Sequence, residues 1–167
     1  MNNKNIIIKK ATVKNISIIQ QIVYKTWPVA YEKILSDAQL KYMLQLIYST
    51  DALQKQLNEG QQFYIAELEN QSIGFAAFGF YDEPSIYKLH KLYVLPETQG
   101  TGIGKMLLEF IINEVKKLNA TSLILNVNRN NKAKIFYEKN GFKIIKEEDI
   151  DIGNGYFMND YVMEIKL

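Results

Sequence analysis

The chain has 167 residues, 47% hydrophobic and 23% charged, which fits one globular domain over residues 1–167 with a core of ordinary size. A net charge of +2 without a block of lysine or arginine argues against nucleic acid or an anionic membrane as a general partner. The absence of cysteine excludes a disulfide scaffold, a Cys-ligated metal and a thiol nucleophile; with no signal peptide and no run of about 18 apolar residues, the expected compartment is the cytoplasm.

Ile6 to Lys9 reads as a first strand. Thr12 then caps a helix carrying Ile16, Ile19, Val23 and Trp27 on one face, expected to end at Pro28. Ser36 and Gln39 fit a capping box for a second helix with Leu40, Met43, Leu44, Ile47 and Tyr48; Asp51 to Glu59 reads as a short third helix closed by Gly60. From Phe63 to Tyr81 the period changes to that of a β-hairpin, turning at Glu69-Asn70-Gln71, and a further strand runs from about Ser85 to Leu95. Ile103, Leu107, Phe110, Ile111, Val115 and Leu118 recur at helical spacing, and Ser122 to Asn128 alternates as a buried strand. A helix of about two turns begins near Asn130 or Asn131, carries Ala133, Phe136 and Tyr137, and ends at Gly141. The tail reads as two strands around Gly153-Asn154-Gly155, with Phe157, Tyr161, Met163 and Ile165 as burial candidates. This order predicts an α/β fold with a mixed sheet covered on both faces.

The stretch from Leu92 to Lys105, Leu-Tyr-Val-Leu-Pro-Glu-Thr-Gln-Gly-Thr-Gly-Ile-Gly-Lys, is the one built for chemistry. Glycines at a helix start let backbone N–H groups approach a ligand, and the helix adds about half a positive charge there, which makes an anion cradle. A P-loop is excluded because Gln99 and Met106 stand where Gly and Ser or Thr are required. The dinucleotide fingerprint is excluded because glycines 100, 102 and 104 have the wrong spacing and no acidic residue ends the next strand.

What remains, Gln-x-x-Gly-x-Gly after Leu-Tyr-Val, resembles the acyl-CoA pyrophosphate loop of the GNAT superfamily of N-acyltransferases. Val-Asn-Arg-Asn-Asn-Lys-Ala and Phe-Tyr-Glu-Lys-Asn-Gly-Phe are similar to later stretches of that family in sequence and order. Trp-Pro-x-x-Tyr and Leu-His-Lys-Leu-Tyr-Val look like the bacterial branch that includes polyamine acetyltransferases. The resemblance implies a single-domain, mostly antiparallel sheet with helices on both faces. The implied activity is acetyl transfer from acetyl-CoA to a primary amine, small amine or polyamine, by direct attack in a ternary complex. Gln99, Gly100, Thr101, Gly102, Ile103, Gly104 and Lys105 would hold the pyrophosphate. The backbone of Leu92, Tyr93 and Val94 would hold pantetheine and meet the carbonyl. Asn131, or Asn130, would also bind the cofactor, with a helix N-cap as the non-functional reading. Lys139 would touch phosphate, or simply stand solvated at a helix end.

Tyr137 falls at the family's general-acid position, and a phenol near pKa ~10 suits a departing thiolate near ~8.5. His90 is the candidate base: positions 90, 92 and 94 point the same way unless a bulge intervenes, and an imidazole near pKa ~6.5 suits the task. Trp27 and Tyr31 are candidate walls for the acceptor, since aromatic faces attract alkylammonium groups. Competing readings are a non-catalytic acyl-CoA-binding regulatory module and a peptide N-terminal or lysine acetyltransferase. The sequence leaves acceptor, acyl length and homodimer formation open, and points to no metal.

Overall fold

The computed structural model describes residues 5–81 and 85–167; Met1 to Lys4 and Asp82 to Pro84 lie outside them. The elements are β1 (Ile6–Lys10), α1 (Ile16–Tyr31), α2 (Asp37–Tyr48), α3 (Thr50–Asn58), β2 (Gln62–Leu68), β3 (Gln71–Phe80), β4 (Ile86–Val94), α4 (Ile103–Lys117), β5 (Ser122–Asn128), α5 (Ala133–Lys139), β6 (Lys143–Gly153) and β7 (Tyr156–Lys166). The strands form one sheet in the order β1-β2-β3-β4-β5-β7-β6. All neighbours are antiparallel except β4 and β5, which run parallel.

Both faces are covered, as the alternating strands require. On one face Leu107, Leu108, Ile111 and Val115 of α4 pack with Tyr137 of α5 against Ala76, Phe78 and Leu125. On the other, Ile19, Val23 and Trp27 of α1, Met43 of α2 and Leu53 of α3 pack against Phe63, Ile65, Phe75 and Ala77. Each fully buried Leu or Ile contributes about 1.5–3 kcal/mol by leaving water, so the 3.6-residue stripe of α4 holds the helix whose start carries the glycine loop.

Side chains at the helix starts satisfy some of the first N–H groups. Thr12 and Asn15 cap each other reciprocally around a short 3-10 turn that leads into α1. The Ser36 hydroxyl accepts from Gln39 N–H at 3.1 Å, but the Gln39 amide leaves the box and donates to Phe157 O at 2.9 Å, tying α2 to β7. Glu69 and Asn70 have φ of 50° and 64°, the left-handed pair of a tight hairpin turn.

Two expectations are corrected. Pro28 lies inside α1, which continues to Tyr31. The carbonyl that loses its partner there, that of Tyr24, belongs to an exposed residue, so water replaces the missing N–H. Phe157 is 49% exposed, whereas Asp160 on the same strand is 1% exposed. The tail therefore buries a carboxylate where apolar alternation had pointed elsewhere.

The sheet opens at its centre. β4 pairs with β5 only from Ile86 to Leu89, opposite Ser122 to Leu125. Against β3, Leu89 faces Phe78 and Lys91 faces Ala77, so His90 is an extra residue, a β-bulge. A bulge bends and twists its strand, and the bend falls where β4 leaves β5. Beyond it, one edge of residues 90–94 and one of 126–128 face each other unpaired.

Candidate active site

The parted strands make a cleft with two cavities that share Tyr31, Leu89, His90, Lys91, Tyr93 and Asn126 as lining. The smaller, about 60 Å³, lies between the strands and is also bordered by Leu92, Asn131 and Tyr137. The larger, about 300 Å³, opens toward α1, α3 and the tail, where Trp27, Tyr48, Gln56 and Asp160 border it.

The glycine loop precedes α4. Gly100 and Gly102 have φ of 76° and 87°, and a Cβ at either would meet nothing within 4 Å. Gly102 caps α4 without a side-chain acceptor, so the first N–H groups of the helix receive no cap from it. Among the described residues, no backbone N–H from Gly100 to Lys105 donates a bond outside the regular elements. Open space before free donors at a helix start suits a pyrophosphate. Gln99 leans back on Val94 O at 3.4 Å, the Thr101 hydroxyl donates to Thr98 O, and exposed Lys105 pairs with Glu109 at 3.7 Å. The side chain of Ile103 is buried in the core and offers only its backbone.

Tyr137 is 8% exposed, and burial pushes its phenol above the usual range, with Tyr31 acting in the same direction. It stays protonated at working pH, but surrenders the proton less readily than a free phenol. Asn131 borders the smaller cavity, and its Oδ1 accepts Ala133 N–H at 2.9 Å from one residue before Lys132, the N-cap of α5. Asn130 is exposed and borders neither cavity, and Lys139 stands exposed in the last turn of α5, also bordering neither.

The expectation for His90 is corrected on two counts. The bulge turns it away from Leu92 and Val94, which pack with the α4 side. Its ring lies over Gly79 instead, where an added Cβ would be 3.3 Å from Nε2. Burial lowers its pKa to about 3, with the charges of Lys91 and Lys88 adding to the effect. Its charged form is therefore disfavoured near neutral pH.

Lys91 lies beside it, 6% exposed. Its ammonium donates to Gln61 Oε1 at 3.0 Å and sits 5.2 Å from the Phe63 ring centroid and 5.8 Å from that of Tyr48. Burial, then the charge of Lys88, lowers its pKa to about 7, while the two ring faces favour the cation. Trp27 and Tyr31 are 2% and 7% exposed, with ring centroids 4.8 Å apart and planes tilted by 49°, so they border the larger cavity as parts of the core.

This arrangement of parted strands, glycine loop and buried phenol has relatives. Residues 59–144 match the acetyltransferase (GNAT) domain family. The chain is a GNAT acetyltransferase. It is similar to the spermidine N(1)-acetyltransferase of Thermoplasma acidophilum, at 27% identity over 95% of this chain and 96% of that one. A crystal structure of the PaiA N-acetyltransferase from Thermoplasma acidophilum in complex with coenzyme A superposes with a TM-score of 0.82, at 28% identity over 98% and 99% of the two chains. The [ribosomal protein bS18]-alanine N-acetyltransferase of Haemophilus influenzae is 34% identical over 60% of this chain and 65% of its own length.

The acetyltransferase draws its acetyl group from acetyl-CoA and transfers it to nitrogen. Sequence reasoning missed Lys91, Asp160 and Gln56 as residues of its cleft. Lys91 had a signal: it interrupts an apolar strand. Asp160 sits between Asn159 and Tyr161 with no pattern to mark it, and Gln56 reads as one polar residue among several on α3.

Proposed function

We propose that the acceptor of this acetyltransferase is the primary amine of a small molecule, with small amines and polyamines ahead of peptide amines. The observation that carries this reading is the larger cavity, about 300 Å³ and walled by Trp27, Tyr31 and Tyr48, with a buried carboxylate at Asp160. Aromatic faces and a single desolvated carboxylate suit an alkylammonium group. The Thermoplasma relative named for spermidine supports the same class, while the relative named for ribosomal-protein alanine supports a peptide acceptor.

In this reading the N–H groups of Gly100 to Lys105 take the pyrophosphate, with Gln99 shaping the turn. The unpaired backbone edge of Leu92, Tyr93 and Val94 takes the pantetheine arm and offers an N–H to the thioester oxygen, and Asn131 closes the slot from α5. Transfer forms a C–N bond at the acetyl carbon and breaks the C–S bond; the amine gives up a proton and the sulfur gains one. Tyr137 is the donor to sulfur, its raised pKa keeping the phenol protonated until charge develops on the leaving thiolate. Lys91, with a pKa near 7, is better suited than His90 to accept from the ammonium. Lys139 remains a solvated charge.

The test is coenzyme A thiol release with monoamines, diamines, polyamines and peptides beginning with alanine. Turnover on small amines is expected. Turnover confined to peptides would replace the acceptor, and acetyl-CoA binding without turnover on any amine would favour a regulatory module.

A further inference from the structure

The larger cavity contains two buried acceptors that the protein leaves without donors. Asp160 is 1% exposed; its Oδ2 accepts from Asn126 Nδ2 at 3.3 Å, and its Oδ1 has no partner among the described residues. The same Asn126 amide also donates to Glu148 Oε2 at 3.3 Å, so it has no spare bond for Oδ1. Two cations act on Asp160, Lys88 and Arg129, and Arg129 is already paired with Glu147 and Asp149. On the opposite wall Gln56 Nε2 donates to Ile47 O at 2.8 Å. A carbonyl partner fixes the amide's orientation, because only the NH2 end can donate. Gln56 Oε1 is thereby left as a buried acceptor with no partner.

A buried acceptor without a donor destabilises a fold, and native proteins rarely leave two around one cavity. Trp27 Nε1 is also without a partner in good geometry, but the Tyr48 hydroxyl lies beside it. Asp160 Oδ1 and Gln56 Oε1 have no hydrogen-bond partner among the described residues, and both are acceptors, so what completes them must bring N–H or O–H groups. Burial raises the pKa of Asp160, and a cation beside it would hold the carboxylate in its charged form.

We propose that the acceptor carries a second N–H group beyond the amine that reacts, and that Asp160 and Gln56 read that group. The substrate class is then a diamine or longer polyamine rather than a simple alkylamine. This deepens the small-amine reading and rests on it. An alkyl chain between the two nitrogens would lie along Trp27 and Tyr31, which gives the aromatic walls a length to measure.

The experiment pairs α,ω-diaminoalkanes with 1-aminoalkanes of the same chain length, by calorimetry in the presence of coenzyme A and by thiol release with acetyl-CoA. The diamine should bind and react roughly tenfold to a hundredfold better, the range for a hydrogen bond to a charged group. Asp160→Asn, which keeps shape and removes charge, should erase that preference by weakening the diamine more than the monoamine, while leaving the affinity for acetyl-CoA unchanged. Gln56→Met serves as a second variant should Asp160→Asn fail to fold, and should narrow the preference. Equal binding of diamine and monoamine, or a preference that survives both substitutions, overturns the inference and leaves amine acetylation standing. Selective diamine binding without thiol release supports the recognition site and overturns the small-amine reaction instead.

Discussion

The ring of His90 packs over Gly79, and Gly79 is the residue that makes room for it: a Cβ at that position would approach Nε2 to 3.3 Å. The contact holds the imidazole on the acceptor side of the sheet beside Lys91, in surroundings that keep it neutral.

The first prediction follows from that neutrality. With a pKa of about 3, His90 carries no proton to lose between pH 6 and 8. The pH profile of kcat/KM should therefore keep its shape in His90→Gln, apart from an overall scale factor. Disappearance of a rising limb in that variant would restore His90 as the base. Should a limb near pH 7 persist there and vanish in Lys91→Met, it belongs to Lys91.

Lys91 also predicts a pH-dependent stability. Its folded pKa is about 7, below the unfolded value of 10.5. Between those values the unfolded chain binds one more proton than the folded one, so wild-type stability gains from this group as pH rises from 7 toward 10.5 and lacks that gain below 7. Lys91→Met removes the group, and its melting temperature relative to wild type should be highest near pH 6 and decline toward pH 10. The Phe63 and Tyr48 faces and Gln61 Oε1 favour the cation and offset part of the burial cost. A constant difference across this range would mean that the ammonium is not destabilised by burial.

For Tyr137→Phe, loss of a full general acid would lower turnover by about 10²–10⁴. Because burial raises this phenol above its usual range, the loss should fall toward the lower end of that span. For the same reason no falling limb from Tyr137 should appear in kcat up to pH 10 in the wild type. A variant with undiminished kcat would leave Tyr137 as a core residue packed against Phe136 and Phe142.

Gly102→Val tests the loop. At φ of 87° a residue with a Cβ is strained by about 1–2 kcal/mol, and a branched side chain would fill the space before the helix start. Calorimetry should show acetyl-CoA affinity reduced at least tenfold while the melting temperature falls by only a few degrees. Unchanged affinity would move the pyrophosphate elsewhere.

Helix faces, strand periods, the hairpin turn and the glycine loop were legible in the sequence because each is written in neighbouring residues: Ser36 caps its own helix and Asn70 makes its own turn. The bulge at His90 was not, because it is a property of register between two strands and exists only once Phe78 faces Leu89 and Ala77 faces Lys91. Pro28 misled for a related reason. Its penalty depends on whether the orphaned carbonyl meets water, a question of burial. Asp160 and Gln56 come from β7 and α3, more than a hundred residues apart by number, and no local pattern connects them. Asn131 is different, since its side chain accepts the first N–H of α5 and also borders the cleft.

The parting of β4 from β5 leaves the sheet with a seam. Only the four rungs from Ile86 to Leu89 stitch its two halves across that line, and the rest of the joint is held by side chains from above and below. A molecule whose amides paired with both bare edges would act as a missing strand and lend its own backbone-like bonds to the protein. Substrate binding would then be felt as a mechanical closure of the whole sheet. Amide exchange at residues 90–94 and 126–128 should slow together on binding, as one cooperative unit, although these segments belong to different halves of the sheet.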